Sequence, residues 1–528
     1  MTPSRGPWPL SWIEFLAALG VDPRVAAGPT PLTVNGAAYD SRRVQPGDAF
    51  FALKGQEANG ARFVTEATAR GASCVVAESP TGVREALTEG ALPAEVLVGE
   101  ARKALAQAAV ALYRDPSQRL TLIGLTGTNG KTTGAFLCRA ILEAAGVSSG
   151  MVGTAGYYLG SERRDAPHTT PEAPDLCDLL DTMSERGLRA AVLEVSSHAL
   201  ELRRTYGLSF QSVVFTNLTR DHLDFHGTEE AYLKAKLRLF NGENGGESRM
   251  TTAVVNASDP HAADVLAACA EGGMRVVRFA LAGAAGAAGA ELVAEDVVLE
   301  PRACRFTIVE AHGRTHVTLP LPGRHNVENA LAAWGATIAF GIDRTVAARA
   351  LASFGGVPGR LELIDRGQPF TVLVDYAHTP DALTRVISTV RETLPASARL
   401  AVVFGCGGDR DRGKRAAMGE AVARGADLAV VTDDNPRNEN PAVIRGEAMK
   451  GAEAAFAATL APPAALKPME IAGRRRAIEQ ALAWAKPGDV VLLAGKGHEG
   501  LQIVGASSVP FDDRLEATRA LEALGYPA

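Results

Sequence analysis

Lys131 stands in the run Thr126-Gly-Thr-Asn-Gly-Lys-Thr-Thr133, and these residue types at this spacing point to polyphosphate chemistry. In a loop containing Gly127, Thr128, Asn129 and Gly130, backbone N–H groups can turn toward phosphate oxygens. The Lys131 ammonium adds a point charge, and the Thr132 hydroxyl, followed by Thr133, can hold magnesium. The general phosphate-loop pattern asks for a glycine where this chain has Leu125, with Gly124 the nearest candidate, so the loop is of a shortened kind. A plain strand-to-helix turn also uses glycine, but a following lysine and paired threonines at these offsets weigh against it. An ATP site is the expectation.

A carboxylate and an imidazole occur where they could serve that site. Glu194 opens Glu194-Val-Ser-Ser-His198, and His222 lies in Thr219-Arg-Asp-His-Leu-Asp-Phe-His226, each beside an apolar run. Together they are expected to bind the magnesium that polarises a γ-phosphate; capping or surface roles explain either alone better than both. His226 is balanced between site and scaffold. Further on come four polar turns: Asp375-Tyr-Ala-His-Thr-Pro-Asp381, Gly405-Cys-Gly-Gly-Asp-Arg-Asp411, Asp433-Asp-Asn-Pro-Arg437 and Gly495-Lys-Gly-His-Glu499. Each alone is ordinary turn chemistry. As a set they supply Arg410 and Arg437, able to pair a carboxylate bidentately, and Asp434 and Glu499, able to receive an ammonium. That is equipment for gripping an amino acid.

The elements that must place these groups alternate apolar strands with amphipathic helices. The phosphate loop follows a strand, and the helix opening at Lys131 carries Phe136, Leu137, Ala140, Ile141 and Ala144 on one face before Gly146 ends it. Strand runs at 190–195, 212–216 and 253–256 predict a mostly parallel central sheet. The alanine- and glycine-rich stretch 281–290 reads as a flexible connection, and the glycines of 354–360 suit a hinge, with Gly355 and Gly356 permitting closure. Beyond it, buried strands are expected at 372–375, 400–404, 428–432 and 490–493, with ligands beside their carboxyl ends. Before the ATP strand, short apolar runs and the helical stretch 101–113 end at Asp115-Pro116-Ser117.

The fold class is therefore α/β, in domains spanning 1–117, 118–354 and 355–528. A length of 528 residues agrees, since domains run to about 100–200 residues each. Apolar content of 46% supports well-buried cores, and a net charge of -6 without a basic run excludes nucleic acid as a partner. The N-terminus lacks the pattern of a secretory leader and no run approaches a membrane span, so a soluble, unprocessed protein is expected. Six scattered cysteines without a C-x-x-C pair suit a reducing cytoplasm and core packing.

Taken in order, these motifs resemble those of the Mur ligases, ATP-dependent enzymes that add amino acids during peptidoglycan synthesis. The resemblance runs from about Tyr39 to Glu499, and it includes Thr169-Thr-Pro171, Glu194-Val-Ser-Ser-His-Ala-Leu200, Gly323-Arg-His-Asn326 and Asp375-Tyr-Ala-His378. It implies a small uridine-nucleotide domain, a central ATPase domain and a Rossmann-like C-terminal domain. It implies that Tyr39, Ser41, Gln56, Glu57 and Ala58 bind the uridine nucleotide, and that His168, Thr169, Thr170, Ser196 and Arg204 hold the rest of that substrate. Asn326, Arg360, Asp375 and His378 would join the phosphate loop around ATP. Arg410, Asp434, Asn435, Pro436, Arg437, Gly495 and Glu499 would form the amino-acid pocket. His168 and Leu202 stand where relatives often have asparagine and glutamine, and Leu202 removes an amide contact. Lys236 matches the family lysine that takes up carbon dioxide to become a carbamate; without the resemblance it reads as an ordinary helix lysine.

The implied reaction adds meso-diaminopimelate to the D-glutamate γ-carboxylate of UDP-N-acetylmuramoyl-L-alanyl-D-glutamate through an acyl phosphate, with Lys131, Glu194, His222 and Lys236 as its catalytic groups. Diaminopimelate is preferred to lysine or ornithine because Arg437 can pair its second carboxylate, whereas a terminal ammonium there would meet a like charge. Small molecules are the only expected partners, acting on a cytoplasmic monomer. A folylpolyglutamate synthetase is disfavoured by the long segment preceding Leu120, and a non-catalytic nucleotide switch by the amino-acid pocket.

Overall fold

The computed structural model describes residues 6–22, 28, 30–55, 59–81, 93–246, 251–395, 397–458, 460–462 and 465–526. They form two compact units: unit 1 comprises Met1–Val293 and Asn329–Ala347, and unit 2 comprises Ala294–Glu328 and Ala348–Ala528. No helix among the described residues is long and apolar enough to cross a membrane.

Unit 1 begins with helix α1 (Trp12–Leu19), started by a reciprocal capping box between Ser11 and Glu14 and stopped by Gly20 at φ +68°. A four-stranded parallel sheet follows, β1 (Ala37–Ala38), β2 (Ala49–Phe51), β3 (Cys74–Ala77) and β4 (Ala94–Leu97), in that spatial order. Its covering helix α2 (Ala101–Leu112) buries Ala104, Leu105, Ala108, Ala109 and Leu112. The central sheet is built around β5 (Thr121–Thr126), which leads through the phosphate loop into α3 (Lys131–Ala144). Next come β6 (Ser149–Gly153), β7 (Gly156–Leu159), β8 (Glu162–Arg164), α4 (Ala173–Glu185), β9 (Ala190–Glu194), α5 (Ser197–Glu201) and β10 (Ser212–Phe215). Helices α6 (Leu223–His226) and α7 (Glu229–Leu237) then precede β11 (Thr252–Asn256) and β12 (Arg275–Leu281). The spatial order is β8-β7-β6-β9-β5-β10-β11-β12. From β6 to β12 every pairing is parallel, while β6, β7 and β8 form an antiparallel meander at the edge.

Strands β6, β9, β10 and β11 are buried along their whole length, because helices cover both faces of a parallel sheet and leave no solvent side for polar alternation. That is why β9, β10 and β11 read as apolar runs without alternation. Register fixes the chemistry: Glu194 of β9 lies opposite Leu125 of β5, and Phe215 of β10 lies opposite Thr126. The carboxyl ends of these strands therefore converge on the phosphate loop. The stretch 281–290, expected as a flexible connection, contains a short 3-10 turn at Ala287–Gly289.

Unit 2 contains the hairpin β13 (Cys304–Glu310) and β14 (Gly313–Leu319), then β15 (Glu362–Leu363) and β16 (Thr371–Asp375). Alternating elements follow: α8 (Pro380–Thr393), β17 (Leu400–Cys406), α9 (Lys414–Gly425), β18 (Leu428–Asp433), α10 (Pro441–Ala457), β19 (Met469–Glu470), α11 (Arg474–Trp484) and β20 (Val490–Ala494). The chain ends in a second hairpin, β21 (Leu501–Val504) and β22 (Ser507–Pro510), and helix α12 (Asp513–Ala523). Sheet order is β15-β16-β20-β17-β18-β19, parallel except for the β15 edge. Helix α8 shows how the sequence builds one layer: Thr379 caps it, Pro380 opens it, and Leu383, Val386, Ile387 and Val390 form its buried stripe. Asp375 lies opposite Ala494 and Cys406 opposite Asp433, so all four polar turns emerge from the same edge of the sheet.

Under that sheet Arg474 and Asp513 form an ion pair with both side chains fully buried, N···O 2.6 Å. Asp513→Ala would strand the guanidinium without its countercharge and is expected to lower stability by about 3–5 kcal/mol, whereas replacing both residues by apolar ones of similar volume should cost far less. Guanidinium-chloride unfolding of both variants checks this; equal losses would contradict it.

Candidate active site

In unit 1 the phosphate loop closes tightly because two of its glycines occupy positive φ, Gly127 at +147° and Gly130 at +86°. A Cβ on Gly127 would overlap the Thr216 hydroxyl, and one on Gly130 the Asn329 side-chain oxygen, so a larger residue at either position would displace a neighbour as well as strain the backbone. The loop is braced by the chain beyond β10: Thr128 N–H donates to the Asn217 carbonyl at 2.8 Å and Asn129 N–H to Asn217 Oδ1 at 3.0 Å. The Thr216 hydroxyl donates to the Asn129 carbonyl at 2.6 Å. Lys131 Nζ donates to the carbonyls of Gly127 and Thr128 at 2.8 and 2.9 Å, arching over its own loop. Thr133 follows Thr132 in the first turn of α3.

Glu194 is fully buried at the end of β9. Its Oε2 accepts from the Thr132 hydroxyl at 2.9 Å, and its Oε1 from Thr154 N–H at 3.0 Å. A buried carboxylate and a hydroxyl at a helix start make a compact oxygen-donor pair beside the loop. His222 takes the left-handed conformation at φ +53° and is half-exposed, with its ring 4.9 Å from that of His198 and 6.0 Å from that of Tyr232. His226 joins the cluster through Ser197, Nε2 to Oγ 3.0 Å. Burial, with neighbouring His198 and Lys236, brings His226 down to about 4, so its ring is neutral near pH 7.

Lys236 is 1% exposed and donates to the Gly127 carbonyl at 2.9 Å, with its nitrogen 4.4 Å from the centre of the Tyr232 ring. Burial and then Lys131 push its basicity well below that of an ordinary lysine. The helix lysine of the plain sequence reading is thus an interior amine within hydrogen-bond reach of the phosphate loop.

The threonines and arginine expected around the remaining substrate cluster on the same side of β9. Thr170 Oγ1 donates to the Glu194 carbonyl at 2.7 Å and lies 3.4 Å from Ser196 Oγ; Thr169 Oγ1 is 2.9 Å from Thr154 Oγ1. Arg204 donates to the Thr170 carbonyl at 2.8 Å and pairs with Glu172. His168 enters through its carbonyl, which accepts from Tyr157 at 2.6 Å, and Leu202 caps the end of α5. Farther toward the N-terminus, Tyr39 and Arg43 both bind Asp175 at the edge of a cavity of about 290 Å³. Ser41 donates to Glu66 at 2.8 Å. Gln56, Glu57 and Ala58 lie outside the described residues.

In unit 2, Asn326 is buried and donates to the Pro322 carbonyl at 2.8 Å. Arg360 sits 5.3 Å over the Tyr376 ring, and His378 Nδ1 is 2.8 Å from the Tyr376 carbonyl. Asp375 accepts from the N–H groups of Leu361 and Ala377, both at 2.9 Å, and burial pushes its carboxyl pKa above the usual value. Its carbonyl accepts from Gly495 N–H at 3.0 Å, locking two of the polar turns together. Arg437, at φ +50°, points its guanidinium to the Gly408 carbonyl at 2.8 Å, on the turn that carries the exposed Arg410. Asp434 caps Asn435 N–H at 2.6 Å, Asn435 Nδ2 donates to Glu499 at 3.0 Å, and Pro436 completes the turn before Arg437. Cationic and anionic side chains thus meet at one sheet edge, as recognition of a zwitterion requires.

Family comparison agrees along nearly the whole chain. The Mur ligase family, catalytic domain, matches residues 33–113, the Mur ligase middle domain 125–337, and the Mur ligase, glutamate ligase domain 359–497. The chain belongs to the Mur ligase family. It is 41% identical over 518 residues to the UDP-N-acetylmuramoyl-L-alanyl-D-glutamate--2,6-diaminopimelate ligase of Solibacter usitatus, covering 97% of this chain and 98% of the relative. A relative of the same name from Gloeobacter violaceus is 42% identical over 510 residues, covering 96% and 97% respectively. A solved structure of a ligase of that name matches with a TM-score of 0.71 at 32% identity, covering 97% of this chain and 99% of the other.

Several residues of this Mur ligase site escape a motif reading. Thr154, Thr216 and Asn217 act through hydrogen bonds to the loop or to Glu194, and Tyr232 and His198 through ring contacts. His198 falls within the Glu194 motif and Tyr232 lies one turn before Lys236 on α7; Thr154, Thr216 and Asn217 become visible when register brings strand ends together. Gly130→Ala is expected to cost about 1–3 kcal/mol of ATP affinity through backbone strain and the clash with Asn329. Calorimetric titration with a non-hydrolysable ATP analogue measures it, and an unchanged Kd would remove the loop from the nucleotide site.

Proposed function

We propose that this Mur ligase is the ATP-dependent enzyme that joins meso-diaminopimelate to the D-glutamate γ-carboxylate of UDP-N-acetylmuramoyl-L-alanyl-D-glutamate, releasing ADP and phosphate. The observation that carries the proposal is 41% identity along 97% of the chain to a ligase of that name. The separate Asp434-Asn-Pro-Arg437 turn, braced beside Arg410 and Glu499, supports it. The proposal assigns 1–117 to the uridine nucleotide, 118–354 to ATP and 355–528 to the amino acid, each of which contains one family match. It places the enzyme in the cytoplasm with its nucleotide substrates, consistent with six free, buried thiols.

In this mechanism the γ-carboxylate attacks the γ-phosphorus of ATP, the bond to ADP breaks, and an acyl phosphate forms. Lys131, leaving the loop carbonyls it holds, would follow charge onto the phosphoryl oxygens, and loop N–H groups would cradle the β-phosphate. Magnesium fits the oxygen pair Thr132 and Glu194, since it favours a few protein oxygens beside phosphate, and these, with a carbamylated Lys236 and the His222 imidazole, would hold it. When bound it supplies positive charge opposite the reacting phosphate. Thr169, Thr170, Ser196 and Arg204 would orient the substrate carrying the carboxylate. The amine of diaminopimelate then attacks the acyl carbon, phosphate leaves, and the amine proton is lost. Arg437 and Arg410 would bind carboxylates of the diamino acid, and Asp434 and Glu499 an ammonium.

Carbamylation of Lys236 forms a nitrogen–carbon bond to carbon dioxide with loss of one amine proton. It requires the neutral amine, and burial shifts the lysine toward that form. Because the basicity of Lys236 is lowered, the neutral form gains as pH rises through its folded-state value and is lost as pH falls below it. The carbamate is therefore expected to disappear on acidification. Labelled bicarbonate should give a carbamate carbon resonance in the wild type and none in Lys236→Ala; no such resonance would remove the modification.

Phosphate release tests the reaction itself: it should require the sugar-nucleotide dipeptide and the diamino acid together. Release that ignores either one would overturn the ligase reading. Arg437→Ala should raise KM for diaminopimelate by about 2–5 kcal/mol, expressed as RT ln of the ratio, and leave KM for ATP nearly constant. An unaltered preference over lysine would take Arg437 out of the specificity argument.

A further inference from the structure

We propose that Lys496 is a positioning residue for the diamino-acid pocket, its buried ammonium fixing Asn435 and Glu499 in the orientation that receives the substrate. The inference rests on the ligase reading above and extends it to a residue that reading does not use. Lys496 lies in the turn after β20, and its side chain is completely buried. An ammonium has three N–H donors and no acceptor, and burying one is costly unless each donor is matched. Here three acceptors surround it: the Leu501 carbonyl at 2.7 Å, Asn435 Oδ1 at 3.3 Å and Glu499 Oε2 at 3.3 Å. Each belongs to a different structural segment, namely the first residue of hairpin β21–β22, the turn after β18, and the end of the turn that carries Lys496 itself.

The consequence concerns side-chain orientation. Asn435 can present either end of its amide, and Lys496 together with the Ile503 N–H, 2.9 Å away, pins the oxygen inward. The amide nitrogen is thereby turned to Glu499 at 3.0 Å. Glu499 is held at one oxygen by Lys496 and Asn435 yet remains 35% exposed, so its carboxylate keeps a solvent-facing part. The same hairpin carries the backbone of the specificity arginine: Arg437 N–H donates to the Ile503 carbonyl at 3.0 Å, and Gly505 N–H to the Arg437 carbonyl at 2.7 Å. Gln502 Nε2 reaches the Asp434 carbonyl at 2.6 Å. One ammonium thus ties the anionic side of the pocket to the hairpin that shapes its cationic side. With no exposed surface, Lys496 acts through these neighbours.

Steady-state kinetics of Lys496→Met, Lys496→Gln, Glu499→Gln and the Lys496→Met/Glu499→Gln double variant, read beside thermal midpoints, test this. Lys496→Met is expected to raise KM for diaminopimelate at least about ten-fold, with KM for ATP and for the sugar-nucleotide dipeptide within about two-fold of wild type. Lys496→Gln retains donors without charge and should fall between wild type and Lys496→Met. The double variant should be no worse than the poorer single one, because both changes act on one network. Unchanged KM for diaminopimelate, equal rises for all three substrates, or multiplying effects in the double variant would overturn the proposal. Should Lys496→Met fail to fold, Lys496→Gln takes its place: a KM raised for diaminopimelate alone supports the proposal, and an unchanged one overturns it. Wild-type phosphate release that ignores the diamino acid would instead overturn the ligase reading, and this inference with it.

Discussion

The hydrogen bond between the Thr132 hydroxyl and the buried Glu194 carboxylate, 2.9 Å long, is the contact on which unit 1 is organised. It exists only because β9 and β5 run parallel in the register that sets Glu194 opposite Leu125. A slip of one residue would turn the carboxylate to the other face of the sheet, and the phosphate loop would lose its neighbouring acid. Burying a carboxylate is unfavourable unless its oxygens are matched, and here Thr132 and Thr154 supply the donors. Gly153 is part of the same arrangement, since a Cβ there would overlap the Glu194 side chain. Packing, register and a single buried acid are therefore one constraint.

Unit 2 solves a related problem with arginines. The exposed Arg410 and the partly buried Arg437 lie on turns at the sheet edge, whereas the side chains of Arg415 and Arg474 are fully buried. Arg415 pairs with Glu439 and Glu447 and also donates to the Gly407 carbonyl, joining the turns after β17 and β18. Arg474 donates to the Ala494 carbonyl at 2.8 Å while paired to Asp513. The buried pairs tie down the loops that carry the outer guanidiniums. Guanidinium geometry suits this use, because its fork can bridge a carboxylate and a backbone carbonyl together.

Much of this is legible in local sequence. The phosphate loop, the helix after it, the apolar strands and the polar turns are set by short-range periodicity and glycine placement, and Glu194 announces itself as an acid at a strand end. What local pattern cannot give is burial created by distant partners. Lys496 and Arg474 look like solvent residues in sequence, and only Asn435 and Asp513, far along the chain, show why they lie inside. Tyr39 meets Asp175 across 136 residues. Hairpin β21–β22 is equally hidden, because Leu501, Val504 and Val509 remain about half exposed and its strands bury no alternating face.

Lys236 shows how a site can prepare a residue's reactivity without touching a substrate. Its nitrogen and that of Lys131 both donate to the Gly127 carbonyl, at 2.9 and 2.8 Å. Two ammonium groups sharing one acceptor repel, and the more buried amine yields its proton more readily, which is the direction found for Lys236. Burial first, and the phosphate-loop lysine after it, favour the neutral amine at Lys236. If that amine gains a carbamate, its charge becomes negative and repulsion from Lys131 turns to attraction.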